Sequence, residues 1–158
     1  MRRNGNIQIA VIGSSEPRPE AIAVAEEVGG VIAGLGAVLI CGGLGGTMEA
    51  AARGAKGKGG LTIGILPTYD KESANRFIDI VIPTGLGHAR NVVVAACGDA
   101  VVALPGEHGT RSEVAIALKL GKPVFGIGAW GAVPGVQELG TAEELQRELT
   151  SLFKDKRP

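Results

Sequence analysis

The fold is decided by residues 100–113, which read Ala100-Val101-Val102-Ala103-Leu104-Pro105-Gly106-Glu107-His108-Gly109-Thr110-Arg111-Ser112-Glu113. The first five residues are uncharged and apolar, as in a strand that is buried on both faces of a parallel sheet. The Pro-Gly pair ends this strand, and the pattern after it predicts a helix that starts at Thr110. The first amides of a helix have no partner within it and carry the positive end of its dipole. The stretch therefore predicts a strand-to-helix junction that binds an anion.

A second glycine-rich junction lies earlier in the chain and reads Cys41-Gly42-Gly43-Leu44-Gly45-Gly46-Thr47-Met48-Glu49. It follows the apolar run 37–41 and precedes a helical pattern of small residues. Because glycine has no Cβ, such a loop lets the backbone approach a ligand closely. Two junctions of this kind in one sheet predict a phosphate-bearing ligand held between them.

Apolar runs alternate with helical patterns along the chain. Strands are predicted at 7–12, 37–41, 61–66, 78–82, 100–104 and 123–127, the last of these followed by an irregular glycine-rich stretch at 128–140. The stretch 88–97 suits a strand or a helix, and the alternation favours a helix. This order predicts one domain over residues 1–158. Its fold class is α/β, a single doubly wound, mostly parallel Rossmann-like sheet with helices on both faces and a ligand at its carboxyl edge.

Composition and charge exclude several classes of protein. Lysine plus arginine and aspartate plus glutamate both number 16, and there are three Phe, one Tyr and one Trp. The chain thus lacks the basic face and the stacking aromatics that nucleic acids need. The basic start of the chain has no apolar segment behind it, and glycines break the longest uncharged stretch, so neither a signal peptide nor a membrane span is predicted. We expect a cytoplasmic protein in which both cysteines are reduced core thiols.

Common cofactor motifs are missing. The turn after the first strand, Gly13-Ser14-Ser15, is not a dinucleotide fingerprint, and no Walker A lysine follows either glycine-rich loop. The two histidines, His88 and His108, are not at ligand spacing, so we predict no metal site and no cofactor required for folding.

Two charged residues have competing interpretations. Thr110-x-x-Glu113 is a possible capping box, in which Glu113 binds a backbone amide at the end of the helix. Arg90 is a possible surface cation near a helix start. Both residues lie beside predicted carboxyl ends of strands, where a doubly wound sheet has its site, and this favours a functional role.

The residues Gly87-His88-Ala89-Arg90, followed by 99–113 with its Pro-Gly-x-x-Gly-Thr-x-x-Glu pattern, resemble the signature of the SLOG superfamily. That group includes the cytokinin-activating LONELY GUY phosphoribohydrolases, often misannotated as lysine decarboxylases, and the molybdenum cofactor carrier proteins. The spacing from Arg90 to Glu113, 113 − 90 = 23 residues, is similar to the hydrolase pattern. The stretches 62–67 and 84–90 look more like the carrier branch. The resemblance covers most of residues 7–128.

The resemblance implies a set of ligand-binding residues at the two junctions and around Arg90. They are Gly13, Ser14, Gly42, Gly43, Gly45, Gly46, Thr47, His88, Arg90, Asn91, Pro105, Gly106, Gly109, Thr110 and Glu113. In a hydrolase, Arg90 and Glu113 would be catalytic: Glu113 would hold the ribose hydroxyls and stabilise positive charge at the anomeric carbon, and Arg90 would orient the substrate. In a carrier, the same groove would hold the phosphate and pterin of the molybdenum cofactor (molybdopterin) without breaking a bond.

Two departures from the family pattern favour a binding protein. Glu107 replaces a glycine near the predicted phosphate pocket, and Asn91 replaces a lysine that often follows the arginine. We therefore expect a carrier-type protein. The alternative is a nucleoside 5′-monophosphate phosphoribohydrolase that releases free base and ribose 5-phosphate. The resemblance also implies a homo-oligomer, a dimer or tetramer, and the neutral charge disfavours the DNA binding of DNA-processing members of the superfamily.

Overall fold

The computed structural model describes residues 6–128 and 130–156. Its seven strands form one sheet in the order β4-β3-β2-β1-β5-β6-β7. They are β1 (Gln8–Ile12), β2 (Val38–Cys41), β3 (Thr62–Leu66), β4 (Ile80–Pro83), β5 (Ala100–Ala103), β6 (Val124–Ile127) and β7 (Val136–Leu139). Each neighbouring pair is parallel. The direction of winding reverses between β1 and β5, which makes that gap the topological switch point.

Helices cover both faces of the sheet, which confirms the predicted doubly wound, Rossmann-like fold. They are α1 (Pro19–Gly34), α2 (Thr47–Gly57), α3 (Arg90–Cys97), α4 (His108–Lys119) and α5 (Ala142–Leu152). Helices α1, α2 and α5 pack on one face, and α3 and α4 pack on the other. The stretch that suited a strand or a helix is therefore helical, with a 3-10 turn at Gly87–Ala89 before it.

The central strands separate two hydrophobic cores by simple alternation. Ile9 and Val11 of β1 belong to the core under α1, α2 and α5, whereas Ala10 and Ile12 belong to the core under α3 and α4. Successive side chains of a strand point to opposite faces, so a strand covered on both sides must be apolar throughout. This explains why the strand segments read as unbroken apolar runs.

Helix α2 packs so closely against α1 that the backbones of the two helices are in contact. A Cβ added at Gly29 of α1 would overlap the carbonyl oxygen of Ala51, and one added at Gly54 of α2 would overlap that of Glu26. Glycine is required at both positions because the two helices leave no room for a side chain between them. This contact fixes the start of α2, and with it the glycine-rich loop that precedes the helix.

The prediction that residues 128–140 are irregular throughout is wrong, because this stretch contains β7. This strand is short and half-exposed at the sheet edge, with Gln137 and Glu138 facing solvent, so its sequence lacks a continuous apolar run. Long-range hydrogen bonds organise the loop before it. The Glu138 carboxylate accepts from the backbone amides of Gly128 and Trp130 at 3.1 and 3.0 Å, and the Trp130 indole donates to the Leu104 carbonyl at 3.2 Å.

Two further observations concern the described residues as a whole. None of their helices combines the length and the apolar character needed to cross a bilayer. Cys41 is buried, Cys97 is half-buried, and both are free thiols.

Candidate ligand-binding site

Three strand-to-helix loops meet at the carboxyl edge of the sheet beside the switch point. They are the β1–α1, β2–α2 and β5–α4 loops, and two hydrogen bonds join them. The Ser14 amide donates to the Pro105 carbonyl at 3.0 Å, and the Ser14 carbonyl accepts from the Thr47 amide at 3.0 Å. The two glycine-rich junctions of the sequence are therefore neighbours on either side of Ser14.

A cavity of about 330 Å³, here called the first cavity, opens among these loops and the start of α3. Its size is within the usual range for small-ligand sites. Its lining combines backbone and side chains from all four segments: Val11, Ile12, Gly13, Ser14, Ser15, Gly42, Leu44, Met48, His88, Arg90, Asn91, Glu107, His108, Gly109, Thr110 and Glu113. Glu107 is one of these lining residues, and it is exposed.

Arg90, the first residue of α3, is a buried cation in this cavity. Only 9% of the surface of Arg90 is exposed to solvent. Its guanidinium lies so close to the β2–α2 loop that a Cβ added at Gly42 would be 2.6 Å from Arg90 Nη1. Arg90 Nη1 donates to Asn91 Oδ1 at 2.9 Å. Within the part of the chain that the structure describes, Arg90 Nε has no hydrogen-bond partner. A buried donor without a partner is costly, so an acceptor from outside the chain that reaches the guanidinium would be stabilised.

Glu113 lies opposite Arg90 and does not cap its helix. Helix α4 begins at His108, two residues before the predicted start, with Glu107 at the N-cap position. Thr110 is therefore inside the helix and buried, and the possible capping box is not formed. Glu113 instead lies one turn further along, with its Oε1 atom 3.8 Å from Arg90 Nη1.

Burial changes the acid-base properties of this pair. Removal from water raises the pKa of Glu113 from an ordinary 4.5 to about 7, and the nearby Arg90 cation offsets part of that increase. Burial also lowers the pKa of Arg90, while Glu113 opposes the change. Burial raises the pKa of the neighbouring Cys41 thiol to about 11, so this thiol stays protonated at neutral pH. Near neutral pH, the cavity thus holds a fixed cation beside a carboxyl group that gains and loses its proton.

The structure divides the predicted ligand-binding residues into two sets. The set that lines the first cavity is Gly13, Ser14, Gly42, His88, Arg90, Asn91, Gly109, Thr110 and Glu113. The set outside that lining is Gly43, Gly45, Gly46, Thr47, Pro105 and Gly106. Thr47 is fully buried, and a Cβ added at Gly13 would overlap its side chain, so Thr47 lies beneath the β1–α1 loop. Gly43 lies against Gly64 and Leu66 of β3.

Pro105 and Gly106 line a second cavity of about 360 Å³. It lies between the start of α1, the β5–α4 loop and the end of β6, and its lining is mainly apolar. Ser14 and Glu107 line both cavities. The predicted junction at 105–113 is therefore shared between two adjacent cavities.

Sequence analysis did not select several residues that line the first cavity, among them Ser15, Leu44, Met48 and His108. Ser15 and His108 are direct neighbours of selected residues, so a wider window around each turn would have included them. Met48 reads as a core residue of α2, and nothing in its helical spacing indicates that it also reaches the cavity. Among the described residues, no group of three or more His, Cys, Asp or Glu is arranged to hold a metal ion.

A doubly wound α/β sheet with a charged, loop-lined cavity at its switch point defines the class of Rossmann-like proteins. Within that class, the chain belongs to the SLOG cluster4 family, whose model matches residues 6–157. The predicted SLOG membership is thereby confirmed.

Sequence relatives cover most of the chain. An uncharacterized protein of Archaeoglobus fulgidus is 49% identical over 138 residues, which are 87% of this chain and 91% of that protein. A cytokinin riboside 5′-monophosphate phosphoribohydrolase of Mycobacterium tuberculosis is 32% identical over 143 residues, which are 84% of this chain and 76% of that protein.

Solved structures with the same fold include two molybdenum cofactor proteins. The molybdenum cofactor binding protein of Rippkaea orientalis is 36% identical with a TM-score of 0.89, covering 94% of this chain and 98% of that one. The molybdenum cofactor carrier protein of Chlamydomonas reinhardtii is 31% identical with a TM-score of 0.85, covering 95% and 99%. DNA processing protein A of Helicobacter pylori shares the fold alone. It is 22% identical with a TM-score of 0.74, and the match covers 94% of this chain and 81% of that one.

Proposed function

We propose that this protein binds a small phosphate-bearing ligand in the first cavity without breaking a bond, as a carrier of the molybdenum cofactor. The observation that carries the proposal is the buried Arg90 guanidinium, whose Nε atom has no partner within the described residues. Full-length similarity to a molybdenum cofactor binding protein and to a molybdenum cofactor carrier protein supports the choice of ligand.

The chemistry of the first cavity suits an anion. A phosphate oxygen at Arg90 would receive a charge-assisted hydrogen bond, which is shorter and stronger than a neutral one. Gly109 lies in the first turn of α4, where unpaired backbone amides and the helix dipole favour negative charge. Protonation of Glu113 would leave Arg90 as an uncompensated cation and so strengthen the attraction.

Hydrolysis would depend on the ionised form of Glu113. Cleavage of an N-glycosidic bond develops positive charge at the anomeric carbon, and an ionised carboxylate stabilises that charge. With a pKa of about 7, Glu113 is ionised in only part of the molecules at neutral pH.

The direct test is native mass spectrometry of the freshly purified protein, followed by identification of the released ligand. We expect molybdopterin or its molybdenum-bearing form in the wild-type protein, and little or none in an Arg90→Gln variant that keeps its thermal unfolding transition. Wild-type protein that carries no phosphate-bearing molecule, and takes up none when molybdopterin is added, would overturn the proposal.

A phosphoribohydrolase is the second candidate, favoured by the buried Arg90–Glu113 pair at 3.8 Å and by the relative from Mycobacterium tuberculosis. As an enzyme, the protein would split AMP or N6-substituted AMP into base and ribose 5-phosphate. The rate would rise with pH as Glu113 ionises, and Glu113→Gln would abolish it. Absence of base release from every nucleoside monophosphate tested would exclude this candidate.

We also propose that the protein is a homo-oligomer, a dimer or tetramer. Two isoleucines on one face of the edge strand β4, Ile80 and Ile82, are 45% and 41% exposed, and Leu86 just beyond the strand is 53% exposed. Apolar side chains at an exposed sheet edge favour association. Light scattering of the wild-type protein and of an Ile80→Lys/Ile82→Lys variant tests this.

We also keep the prediction that the protein does not bind nucleic acid. Salt-dependent retention of the protein on a DNA column would contradict it.

A further inference from the structure

The two cavities are adjacent, and one of the residues that they share carries a carboxylate. Ser14 and Glu107 are the residues that line both the first and the second cavity. Glu107 is exposed, and its side chain makes no capping hydrogen bond to helix α4 although it occupies the N-cap position. Its carboxylate oxygens are thus accessible from the cavities, and they can only accept hydrogen bonds when ionised.

The second cavity differs from the first in character. Its walls include Ala21 and Val24 of α1, together with Leu104 and Ile127 at the ends of the central strands. Leu104 and Ile127 are buried core residues, so the floor of this cavity is a fixed apolar surface. An apolar surface beside a hydrogen-bond acceptor suits a flat heterocycle that has donors along one edge.

We propose that the two cavities form one bipartite site, in which a ring with adjacent N–H and NH2 donors occupies the second cavity and binds the Glu107 carboxylate. The ligand's phosphate lies beside Arg90 in the first cavity, so this inference rests on the proposed function. The ring class is the 2-amino-4-oxopyrimidine edge that pterins and guanine share. Its two parallel donors match the two oxygens of one carboxylate. The corresponding edge of adenine has an acceptor next to its amino group and does not match.

Glu107 then determines specificity where a glycine would leave the wall without a side chain. The same carboxylate opposes a phosphate placed against it, so it orients the ligand with its ring toward Glu107 and its phosphate toward Arg90. Glu27 of α1 is exposed and lines neither cavity, so Glu27→Gln is a control for the loss of a carboxylate outside the site.

The test is calorimetric titration of the wild-type protein with GMP, AMP and ribose 5-phosphate, with chromatography to verify that each nucleotide stays intact. We expect GMP to bind about tenfold more tightly than AMP, as for other bidentate hydrogen-bond pairs. Glu107→Gln should reduce that preference to about twofold, and Glu27→Gln should retain it. Equal affinities for GMP and AMP, or a preference that survives in Glu107→Gln, would overturn the inference.

A second pair of variants tests the second cavity itself. Ala21 lines this cavity, whereas Ala23 of the same helix is exposed and outside the lining. Ala21→Phe should lower GMP affinity to that of ribose 5-phosphate, and Ala23→Phe should leave it unchanged, with equal thermal unfolding transitions as a control of folding. Unchanged GMP binding in Ala21→Phe would contradict the inference. Failure of ribose 5-phosphate to bind the wild-type protein would instead contradict the proposed function.

Discussion

The two glycine-rich junctions look alike in sequence, but they differ in what they present to the first cavity. From the β2–α2 junction, the cavity receives Gly42, Leu44 and Met48, while Gly43 and Thr47 face the protein interior. The β5–α4 junction opens on both cavities through Glu107. The difference teaches that a glycine-rich motif indicates where a loop is, whereas packing decides which of its residues can meet a ligand.

The physical cause of the difference is the position of the two helices. Helix α2 is pressed against α1 through Gly29 and Gly54, so its first residue, Thr47, is buried below the β1–α1 loop. Helix α4 packs against α3 on the other face, and its first turn is largely exposed. The start of α4 is therefore accessible to a ligand, and the start of α2 is a packing element.

The largest expected effect concerns Glu113, which α4 brings to Arg90. Its pKa is about 7 in the folded protein, above the ordinary 4.5, so between these pH values the folded state binds more protons than the unfolded state. The free energy of unfolding should therefore fall as pH rises from 4.5 to 7, by up to about 3 kcal/mol, because a pKa difference of one corresponds to about 1.4 kcal/mol.

Urea denaturation of the wild-type protein and of Glu113→Gln at several pH values measures this contribution. The difference in unfolding free energy should shift in favour of Glu113→Gln as pH rises from 4.5 to 7 and level off above 7, because the variant lacks the ionisation. Other carboxylates, such as Asp79 with its lowered pKa, titrate in both proteins and cancel from the difference. A difference that does not change with pH would contradict the prediction.

The next largest effect concerns Gly42, the glycine of the β2–α2 junction that lies against Arg90. A Cβ in Gly42→Ala would lie 2.6 Å from Arg90 Nη1 and 2.7 Å from Met48 Sδ. Both atoms lie near the ends of flexible side chains, so we expect a stability loss of only about 1 kcal/mol. Displacement of the guanidinium should weaken binding of ribose 5-phosphate by about 10- to 100-fold, the range for a lost hydrogen bond to a charged group.

Gly45→Ala is the matched control within the same loop. A Cβ there has no neighbour within 4 Å, and Gly45 does not have a positive φ. Affinity should be unchanged in this variant. Equal losses of affinity in Gly42→Ala and Gly45→Ala would show that the loop acts through its flexibility rather than through its contact with Arg90.

The smallest expected effects on affinity and stability concern one threonine from each junction. Thr110 lines the first cavity, and Thr110→Val should weaken ribose 5-phosphate binding by about three- to tenfold, as for one neutral hydrogen bond. Thr47 Oγ1 is buried without a partner in the described part of the chain. Thr47→Val should leave affinity unchanged and raise stability by up to about 1 kcal/mol, because it removes an unsatisfied polar atom. Calorimetry and thermal unfolding check both, and weaker binding in Thr47→Val would contradict the assignment.

Much of the fold was predictable because buried parallel strands need apolar runs, and segments such as 7–12 and 100–104 have them. β7 was missed because an edge strand with exposed Gln137 and Glu138 has no such run. The start of α4 was displaced by two residues because its N-cap, Glu107, makes no side-chain cap and so leaves no capping signal. The site prediction located the right loops and included residues, such as Gly43 and Thr47, that face inward.

The sequence by itself determined the alternation of strands and helices, the two glycine-rich junctions and the membership of the SLOG family, because each of these is written in local pattern and motif. The tertiary structure alone decided that Arg90 and Glu113 form a buried pair, that Gly42 is the glycine against the guanidinium, and that Glu107 lines two cavities. These properties depend on which distant segments meet at the carboxyl edge and on how far water is excluded there. Neither can be derived from residues that are adjacent in the chain.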